Sequence, residues 1–332
     1  MFPFRGARRR LVTAAAGAAV IAVIAAVVSV TSGAAAPAKH YRMTLIVGVT
    51  NNPFYSSMSR GAKAEGAKLG VSVTVQGATT WSPSAQTPIL DAAIASHPNA
   101  IILVATDPKA MDLPLKQAKQ AGIVTVTADG DVQTPANRIA FFVSSNYVGG
   151  VLAGKTLASQ IHGKGEVFVL MAIPGVPDGT QRLNGFKAGL GSALKNGQIK
   201  LLPLQYSGED QVKGSAIMEA VLRGHPNLAG VFAEDTINAQ AVAVTLKNAH
   251  LGGKVKAVGF DASPLEVQAV KQGIFAAAIG QKPFDEGADA VKAAYQTLNG
   301  SHAYHGQTIH TGFVIITPKN VNSPMVQKYA YH

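Results

Sequence analysis

The sequence contains no cysteine among its 332 residues. This absence excludes a disulfide-stabilised scaffold, a cysteine-ligated zinc site, thiol catalysis and a lipid anchor attached through cysteine. Charged residues are also scarce, at 14%, where an average protein has about 25%. The hydrophobic fraction of 47% is ordinary, so the chain can bury a large core and intrinsic disorder is excluded as its overall state. At roughly 150 residues per domain, the length favours about two domains.

Acidic side chains are outnumbered by basic ones, 18 to 29, which gives a formal net charge of +11. Four arginines lie within residues 5–10, and twenty uncharged residues, 11–30, follow them. Small residues then surround Ala36, and this order is typical of a secretory signal peptide over residues 1–36. A retained membrane anchor is the alternative, because twenty residues can span a bilayer. In both cases we expect the rest of the chain to be periplasmic or extracellular.

Short apolar strands alternate with helical stretches from residue 44 to residue 316. The first half has four strand–helix repeats that begin with the strand at 44–49, and the rhythm starts again after the strand at 139–143. The strands are almost continuously apolar, which is typical of a parallel sheet covered by helices on both faces. We therefore predict an α/β fold with two doubly wound halves. No long Gly/Ser or Pro linker separates them, so close coupling of the halves is expected.

Polar side chains follow several of the predicted strands. In open α/β sheets, ligands bind beyond the carboxyl ends of the strands. A carboxylate can accept two hydroxyl hydrogen bonds, and an aromatic ring can cover the apolar C–H side of a sugar. The pattern therefore points to a polyhydroxylated ligand held by residues at these strand ends: Asn51, Asn52, Asp107, Asp129, Asp131, Asp235, Asp261 and Gln281.

Six short strings at these positions carry a family resemblance. They are 51–55 (NNPFY), 126–129 (VTAD), 181–186 (QRLNGF), 231–235 (VFAED), 258–261 (VGFD) and 277–281 (AAIGQ). In this order and spacing, over roughly residues 43 to 318, the chain resembles the periplasmic ribose-binding protein and its relatives. These are sugar-binding subunits of ABC importers, also similar to the ligand domain of LacI-type repressors.

The resemblance implies a type I periplasmic binding protein with two Rossmann-like lobes and the sugar in the cleft between them. The implied crossovers fall near Ser144–Ser145, near Gln281–Lys282 and near His310–Thr311. The N-terminal lobe then comprises residues 43–144 and 282–309, and the C-terminal lobe comprises 145–281 and 310–320.

Nine ligand contacts carry over by position. They are Asn52, Phe54, Tyr55, Asp129, Arg182, Asp235, Phe260, Asp261 and Gln281. The resemblance gives Arg182 the role of a donor fork to ring and hydroxyl oxygens, balanced by Asp129 and Asp261. Taken singly, the polar members could instead be helix caps or surface ion pairs. Trp81, the only tryptophan, is a further candidate, either as a stacking face for the ligand or as a packing residue of its loop.

The sequence departs from a ribose binder at three points. Gly130 stands where an arginine is expected, Glu209 replaces an aromatic residue, and Asp235 replaces an amide. A lost guanidinium, a lost ring and added acids alter how hydroxyls are recognised. The ligand class is therefore a monosaccharide or polyol, and pentose, hexose and polyol stay open.

Two other patterns are weaker. Residues 149–156 match the phosphate-binding pattern GxxxxGK[ST], but they fall inside a predicted helix that begins near Asn146, so helix packing is favoured over nucleotide binding. His302, His305 and His310 match no common zinc spacing, and we expect an exposed connection and no metal. No acid/base pair of a glycosidase and no nucleophile elbow is recognisable, so the sequence predicts no enzyme and no cofactor.

The prediction from the sequence is a solute-binding protein that works as a monomer. It captures a sugar by hinge closure and presents the closed form to the permease of an ABC importer at the membrane. An exported sugar sensor that engages a signalling protein is the alternative, and a sugar-processing enzyme is a third class. The basic residues outside the first ten are scattered, which predicts no nucleic-acid partner.

Overall fold

The structure is a computed structural model that describes residues 40–331. Its first half contains, in order, β1 (Arg42–Val47), α1 (Pro53–Leu69), β2 (Ser72–Gly77), α2 (Pro83–Ala95), β3 (Ala100–Leu103), α3 (Asp112–Gln120), β4 (Val124–Ala128) and β5 (Ala140–Val143). Next come α4 (Asn146–Gln160), β6 (Gly165–Met171), α5 (Pro177–Lys195), β7 (Ile199–Leu201), β8 (Gln205–Tyr206), α6 (Gln211–Gly224), β9 (Leu228–Ala233) and α7 (Thr236–Asn248). The rest comprises β10 (Lys256–Phe260), α8 (Pro264–Lys271), β11 (Phe275–Gly280), α9 (Pro283–Leu298), β12 (Gln307–His310), β13 (Val314–Ile316) and α10 (Pro324–Tyr329).

The first of two sheets has the strand order β12-β5-β4-β3-β1-β2, and every pair in it is parallel. Its inner strands, β1, β3, β4 and β5, are largely apolar because helices cover both faces, whereas the edge strands β2 and β12 are more polar and exposed. Leu45 of β1, for example, pairs with Val75 and Ile102 on its two sides and is fully buried. We call this sheet with its helices, which include α1 and α9, the first lobe.

The second sheet has the order β13-β11-β10-β9-β6-β7, with β8 beside β6. All pairs are parallel except β13, which runs antiparallel to β11. We call this sheet with its helices the second lobe. The chain passes between the two sheets three times, after β5, after β11 and after β12. The predicted α/β class with two parallel-sheet lobes is confirmed.

Glycines set the packing of α4 against α5. A Cβ at Gly150 would overlap the carbonyl of Arg182, and one at Gly185 would overlap the carbonyl of Tyr147. The stretch that matches the phosphate-binding pattern, residues 149–156, lies in the interior of α4. Its glycines thus serve close helix packing, as predicted, and they fix the position of the helix that carries Arg182.

Several elements differ from the sequence expectations. The sequence pattern of residues 108–121 predicts a helix that begins at Pro108. Helix α3 begins only at Asp112, because the Asp107 carboxylate accepts from the backbone N–H groups of Lys109 and Ala110 and forms a turn there. The apolar run at 199–204 predicts one strand, but β7 ends at Leu201 and the separate strand β8 follows at Gln205–Tyr206. Strand β12 and helix α10 were not predicted from the sequence.

Two further predictions concern the signal peptide and the three histidines near the C-terminus. The predicted signal peptide, residues 1–36, lies outside the described residues. Within residues 40–331, no helix is long and apolar enough to cross a bilayer. In the same range no group of three potential metal-ligating side chains occurs, and His310 is the last residue of β12. The predicted lobe boundaries at residues 144, 281 and 309 stay predictions.

Candidate functional site

Two aspartates occupy matching positions at the carboxyl ends of strands, one in each lobe. Asp129 directly follows β4, and its N–H donates to the carbonyl of Phe142 at 2.8 Å. Asp261 directly follows β10, and its N–H donates to Ile279 at 2.9 Å. Both have a positive φ, 58° and 98°, a conformation that costs about 1–3 kcal/mol in a non-glycine residue. Such strain concentrates at functional sites.

The Asp129 carboxylate is held by a single hydroxyl from α1. The Tyr55 hydroxyl donates to Asp129 Oδ2 at 2.6 Å. Burial raises the pKa of Asp129 to about 6, the charge of Asp178 adds to this rise, and the bond from Tyr55 opposes it. Burial, followed by the charge of Asp129, also raises the pKa of the Tyr55 hydroxyl well above its ordinary value. Tyr55 is therefore the donor in this pair.

The Asp261 carboxylate accepts from three donors on different segments. Thr236 Oγ1 donates to Oδ2 at 3.0 Å, and Gln281 Nε2 donates to Oδ1 at 2.8 Å. The third donor is the hydroxyl of Tyr331, at 3.0 Å from Oδ1. Because each donor is buried or half-buried and comes from a different element, the orientation of this carboxylate is fixed before any ligand arrives.

Arg182, on α5, is the guanidinium of the site. Its Nε donates to Asn146 Oδ1 at 2.8 Å, and its Nη1 donates to the carbonyl of Glu234 at 3.1 Å. The guanidinium carbon lies 4.1 Å from the centroid of the Phe260 ring, which favours a cation–π contact. Among residues 40–331, none accepts from Nη2, so this group is a donor available to a ligand.

Carboxylates outnumber this single guanidinium around the site. Burial disfavours the charged form of Arg182, but the charges of Glu234 and Asp261 outweigh burial and raise its pKa. Burial raises the pKa of Glu234 to about 7, against the opposing charge of Arg182. Burial, assisted by the charge of Glu209, raises the pKa of Asp235 to about 7. The raised pKa values of Glu234 and Asp235 let these carboxyl groups hold protons near neutral pH, which lowers the electrostatic repulsion between the acidic side chains of the site.

Two of the predicted contacts also cap helices. Asn52 Oδ1 accepts from the N–H of Phe54 at 2.8 Å at the start of α1. Asp235 Oδ1 accepts from the N–H of Asn238 at 2.8 Å at the start of α7. Asp235 also has a side-chain hydrogen bond with Glu209, so the helix cap is not its only interaction.

The aromatic residues fall into two groups. In the first lobe, the rings of Tyr55 and Trp81 stack with centroids 6.1 Å apart and an interplanar angle of 21°. The indole lies over Gly48, where a Cβ would overlap it, and Trp81 remains 51% exposed. In the second lobe, Phe260 is fully buried beneath the Arg182 guanidinium. Phe260 thus supports Arg182, and its direct contact with a ligand stays a prediction.

The structure adds residues that the sequence did not single out. Asn146 and Glu234 hold Arg182, Thr236 holds Asp261, and Tyr331 contacts both Asp261 and Phe54. Glu234 stands beside Asp235 in the sequence and could have been found as a neighbour of a strand end. Tyr331 carries no such signal, because it follows the last strand by fifteen residues.

The comparisons with known proteins agree with this geometry. The family model described as "Periplasmic binding protein domain" matches residues 43–302. The ribose import binding protein RbsB of Escherichia coli (strain K12) is 30% identical over 272 residues, which cover 81% of this chain and 88% of that protein.

Solved structures show the same relationship. An ABC transporter solute-binding protein from Agrobacterium vitis, bound with α-D-tagatopyranose, has a TM-score of 0.78 and 35% identity over 88% of this chain and 99% of that one. A solute-binding protein from Burkholderia graminis C4D1M in complex with D-arabinose has a TM-score of 0.76 and 28% identity over 87% and 99% of the two chains. The chain therefore belongs to the periplasmic binding protein family, as a ribose-binding-like type I member among the sugar-binding proteins of ABC importers.

Proposed function

We propose that this protein captures a monosaccharide or polyol between its two lobes and delivers it to the permease of an ABC importer outside the cytoplasm. The observation that carries this proposal is the prearranged guanidinium of Arg182, with Nη2 available, whose charge interacts with the carboxylates of Asp129 and Asp261 at strand ends of the two lobes. Relatives that bind ribose, tagatose and arabinose support a sugar as the ligand.

The proposed recognition follows from the donors and acceptors of the site. Arg182 donates to ring and hydroxyl oxygens, and the carboxylates of Asp129, Asp235 and Asp261 accept from sugar hydroxyls. Phe54, Tyr55 and Trp81 supply ring faces and edges for the apolar side of the ligand. Asn52, Phe260 and Gln281 complete the proposed set. Because carboxylates outnumber the single guanidinium of the proposed site, we expect a ligand with more hydroxyl donors than anionic groups.

Closure of the lobes is the proposed mechanism of capture. A ligand that contacts both lobes binds the closed arrangement better, so it must shift the population toward closure. Two of the three segments that connect the sheets meet at one buried carboxylate: Ser144 Oγ and Thr311 Oγ1 donate to Glu286 Oε1 at 2.8 and 3.2 Å. This junction confines the change in backbone angles to a few residues.

The experiment that tests the proposal is calorimetry with D-ribose, D-arabinose, D-tagatose, D-allose and ribitol. We expect saturable binding of at least one of them, a smaller radius of gyration in solution scattering at saturation, and an unchanged sugar by NMR. Absence of binding to all five would reject the proposed ligand class. A new sugar product would assign the protein to an enzyme class instead.

Delivery and export have separate tests. Uptake of the bound sugar by vesicles that contain the partner permease and ATPase should require this protein, and uptake without it would contradict delivery. The mass of the exported protein should correspond to a chain that begins at Pro37. A mass that includes Met1 would indicate the retained anchor.

A further inference from the structure

The C-terminal segment after β13 comprises residues 317–331. We call it the strap. It lies beyond residue 302, where the family match ends, and all but its first four residues lie beyond the predicted boundary of the second lobe at residue 320. The strap is ordered by its own polar contacts. Thr317 N–H donates to Asn320 Oδ1 at 2.7 Å, and Ser323 caps α10.

One side of the strap is fastened to the first lobe. The Asp285 carboxylate, in the first turn of α9, accepts from Lys328 Nζ at 3.0 Å and from the Tyr329 hydroxyl at 2.6 Å. Arg60, on α1, donates to the carbonyl of Ala330 at 3.4 Å. The strap, which leaves the second sheet at β13, is therefore bound to two helices of the first lobe.

The last described residue of the strap returns to the second lobe. Tyr331 N–H donates to the carbonyl of Ala262 at 2.9 Å, and its hydroxyl donates to Asp261 Oδ1 at 3.0 Å. The Tyr331 ring packs edge-on against Phe54, with centroids 5.6 Å apart and an interplanar angle of 88°. With 1% exposure, Tyr331 is among the most deeply buried large side chains.

A tail that only covered apolar surface would not require this arrangement. A single side chain touches Phe54 of the first lobe and Asp261 of the second, and both residues belong to the proposed ligand site. Burial, together with the negative charges of Asp261 and Glu266, raises the Tyr331 pKa well above its ordinary value. The hydroxyl therefore keeps its proton, and it donates to the carboxylate throughout the physiological pH range.

We propose that the strap fastens the two lobes to each other, and that Tyr331 is a positioning residue that orients the Asp261 carboxylate for the sugar. The first part stands on the structure alone, and the second rests on the proposed function. When the lobes separate, either the contacts at Asp285 and Arg60 or those at Asp261 and Ala262 must break. The strap thus favours the arrangement in which the lobes are together and slows release of the ligand.

Three variants separate the two parts of this proposal. Tyr331→Phe keeps the ring and removes the hydroxyl, whereas Tyr331→Ala removes both. The matched control is Met325→Ala, because Met325 is 54% exposed on the same strap. Circular dichroism melting establishes that each variant is folded before binding is compared.

The binding measurement uses whichever of D-ribose, D-arabinose, D-tagatose and D-allose the unmodified protein binds most tightly. Removal of a hydrogen bond to a charged group lowers affinity by about tenfold, so we expect that loss for Tyr331→Phe. Tyr331→Ala should lose more, mainly through a faster dissociation rate, which the fluorescence of Trp81 reports because it is the only tryptophan. Met325→Ala should bind as the unmodified protein does.

The second measurement needs no ligand. In solution scattering of the sugar-free protein, Tyr331→Ala should have a larger radius of gyration than the unmodified protein, while Tyr331→Phe and Met325→Ala should not. An unchanged radius for Tyr331→Ala would overturn the fastening of the lobes. Normal affinity of Tyr331→Phe would overturn the positioning role.

The two proposals fail in distinguishable ways. If the unmodified protein binds none of the sugars, the proposed function and the positioning role of Tyr331 both fail, and the radius of Tyr331→Ala still decides the fastening. If the unmodified protein binds a sugar but all three variants match it in affinity and radius, the inference about the strap fails and the proposed function stands.

Discussion

Asp129 and Asp261 occupy the same place in their lobes, yet their surroundings differ. Each directly follows a strand, has a positive φ, and donates its backbone N–H to a carbonyl of the next strand in the sequence. Asp129 accepts from one described donor, Tyr55, whereas Asp261 accepts from Thr236, Gln281 and Tyr331. The second lobe also carries Arg182. The second lobe is therefore the more prearranged half of the proposed ligand site, and the first lobe is its proposed complement.

The largest effect is expected for Arg182→Ala. An unpaired buried charge costs about 3–5 kcal/mol, so removal of the guanidinium from among the carboxylates should reduce sugar affinity at least about 100-fold. Calorimetry measures the loss. Arg223→Ala is the matched control, because Arg223 is exposed and its one ion pair within residues 40–331 is with Glu219, at 3.8 Å. Near-normal affinity of Arg182→Ala would contradict the assignment of the second lobe as the prearranged half.

The two aspartates can be compared directly as amides. Asp261→Asn should weaken binding more than Asp129→Asn, because both oxygens of Asp261 accept from protein donors and the amide nitrogen must replace one of them. At Asp129 the amide nitrogen can take the place of Oδ1, since the described donor, Tyr55, binds Oδ2. A lost charged hydrogen bond suggests about tenfold for Asp129→Asn and a further several-fold for Asp261→Asn. Titration of both variants with the same sugar gives the ratio. Equal losses would show that the two halves are equivalent.

The buried carboxyl group of Asp129 should make the stability of the protein depend on pH. The folded state holds a proton on Asp129 up to about pH 6 and one on Glu286 up to about pH 8, because burial raises the pKa of both groups. The unfolded chain releases these protons at lower pH. The stabilisation is therefore complete below the unfolded pKa values and is lost as the pH rises through about 6 to 8.

Urea unfolding of the sugar-free protein between pH 5 and pH 8.5 checks this sign. The free energy of unfolding should fall with rising pH, and Asp129→Asn should remove about 1–2 kcal/mol of that fall. Glu286→Gln should flatten the upper part of the profile. Asp91→Asn, an exposed carboxylate on α2, should leave the profile unchanged. Stability that rises with pH over this range would contradict the surroundings described for Asp129.

The smallest effect is expected for Trp81→Ala in the first lobe. Trp81 is half exposed and stacks on Tyr55. The loss of its ring face for the apolar side of the sugar should cost about 1 kcal/mol, or roughly fivefold in affinity. Calorimetry with the preferred sugar tests this value. A loss as large as that of Arg182→Ala would make the first lobe the dominant half.

The sequence predicted the strand-end residues well because parallel sheets place them by rule. Asp129 and Asp261 follow apolar runs that can only be buried strands, so the position of each at the carboxyl edge of its own sheet was foreseeable. The hydrogen-bond partners of Arg182 were harder to predict from the sequence. Asn146 is the first residue of α4 and Glu234 directly follows β9, and these positions are 36 and 52 residues away from Arg182. Local spacing carries no information about contacts of that separation.

By itself the sequence determined the two-lobed α/β architecture, the edges that hold polar groups and the packing role of the glycines in α4. Apolar periodicity and small residues fix these features locally. Only the tertiary structure decided how many donors each aspartate receives, that Phe260 lies beneath Arg182, and that Tyr331 reaches Asp261 across 70 residues. Hydrogen bonds to buried carboxylates depend on the relative positions of separate elements, and those positions exist only once the sheets, helices and strap have packed together.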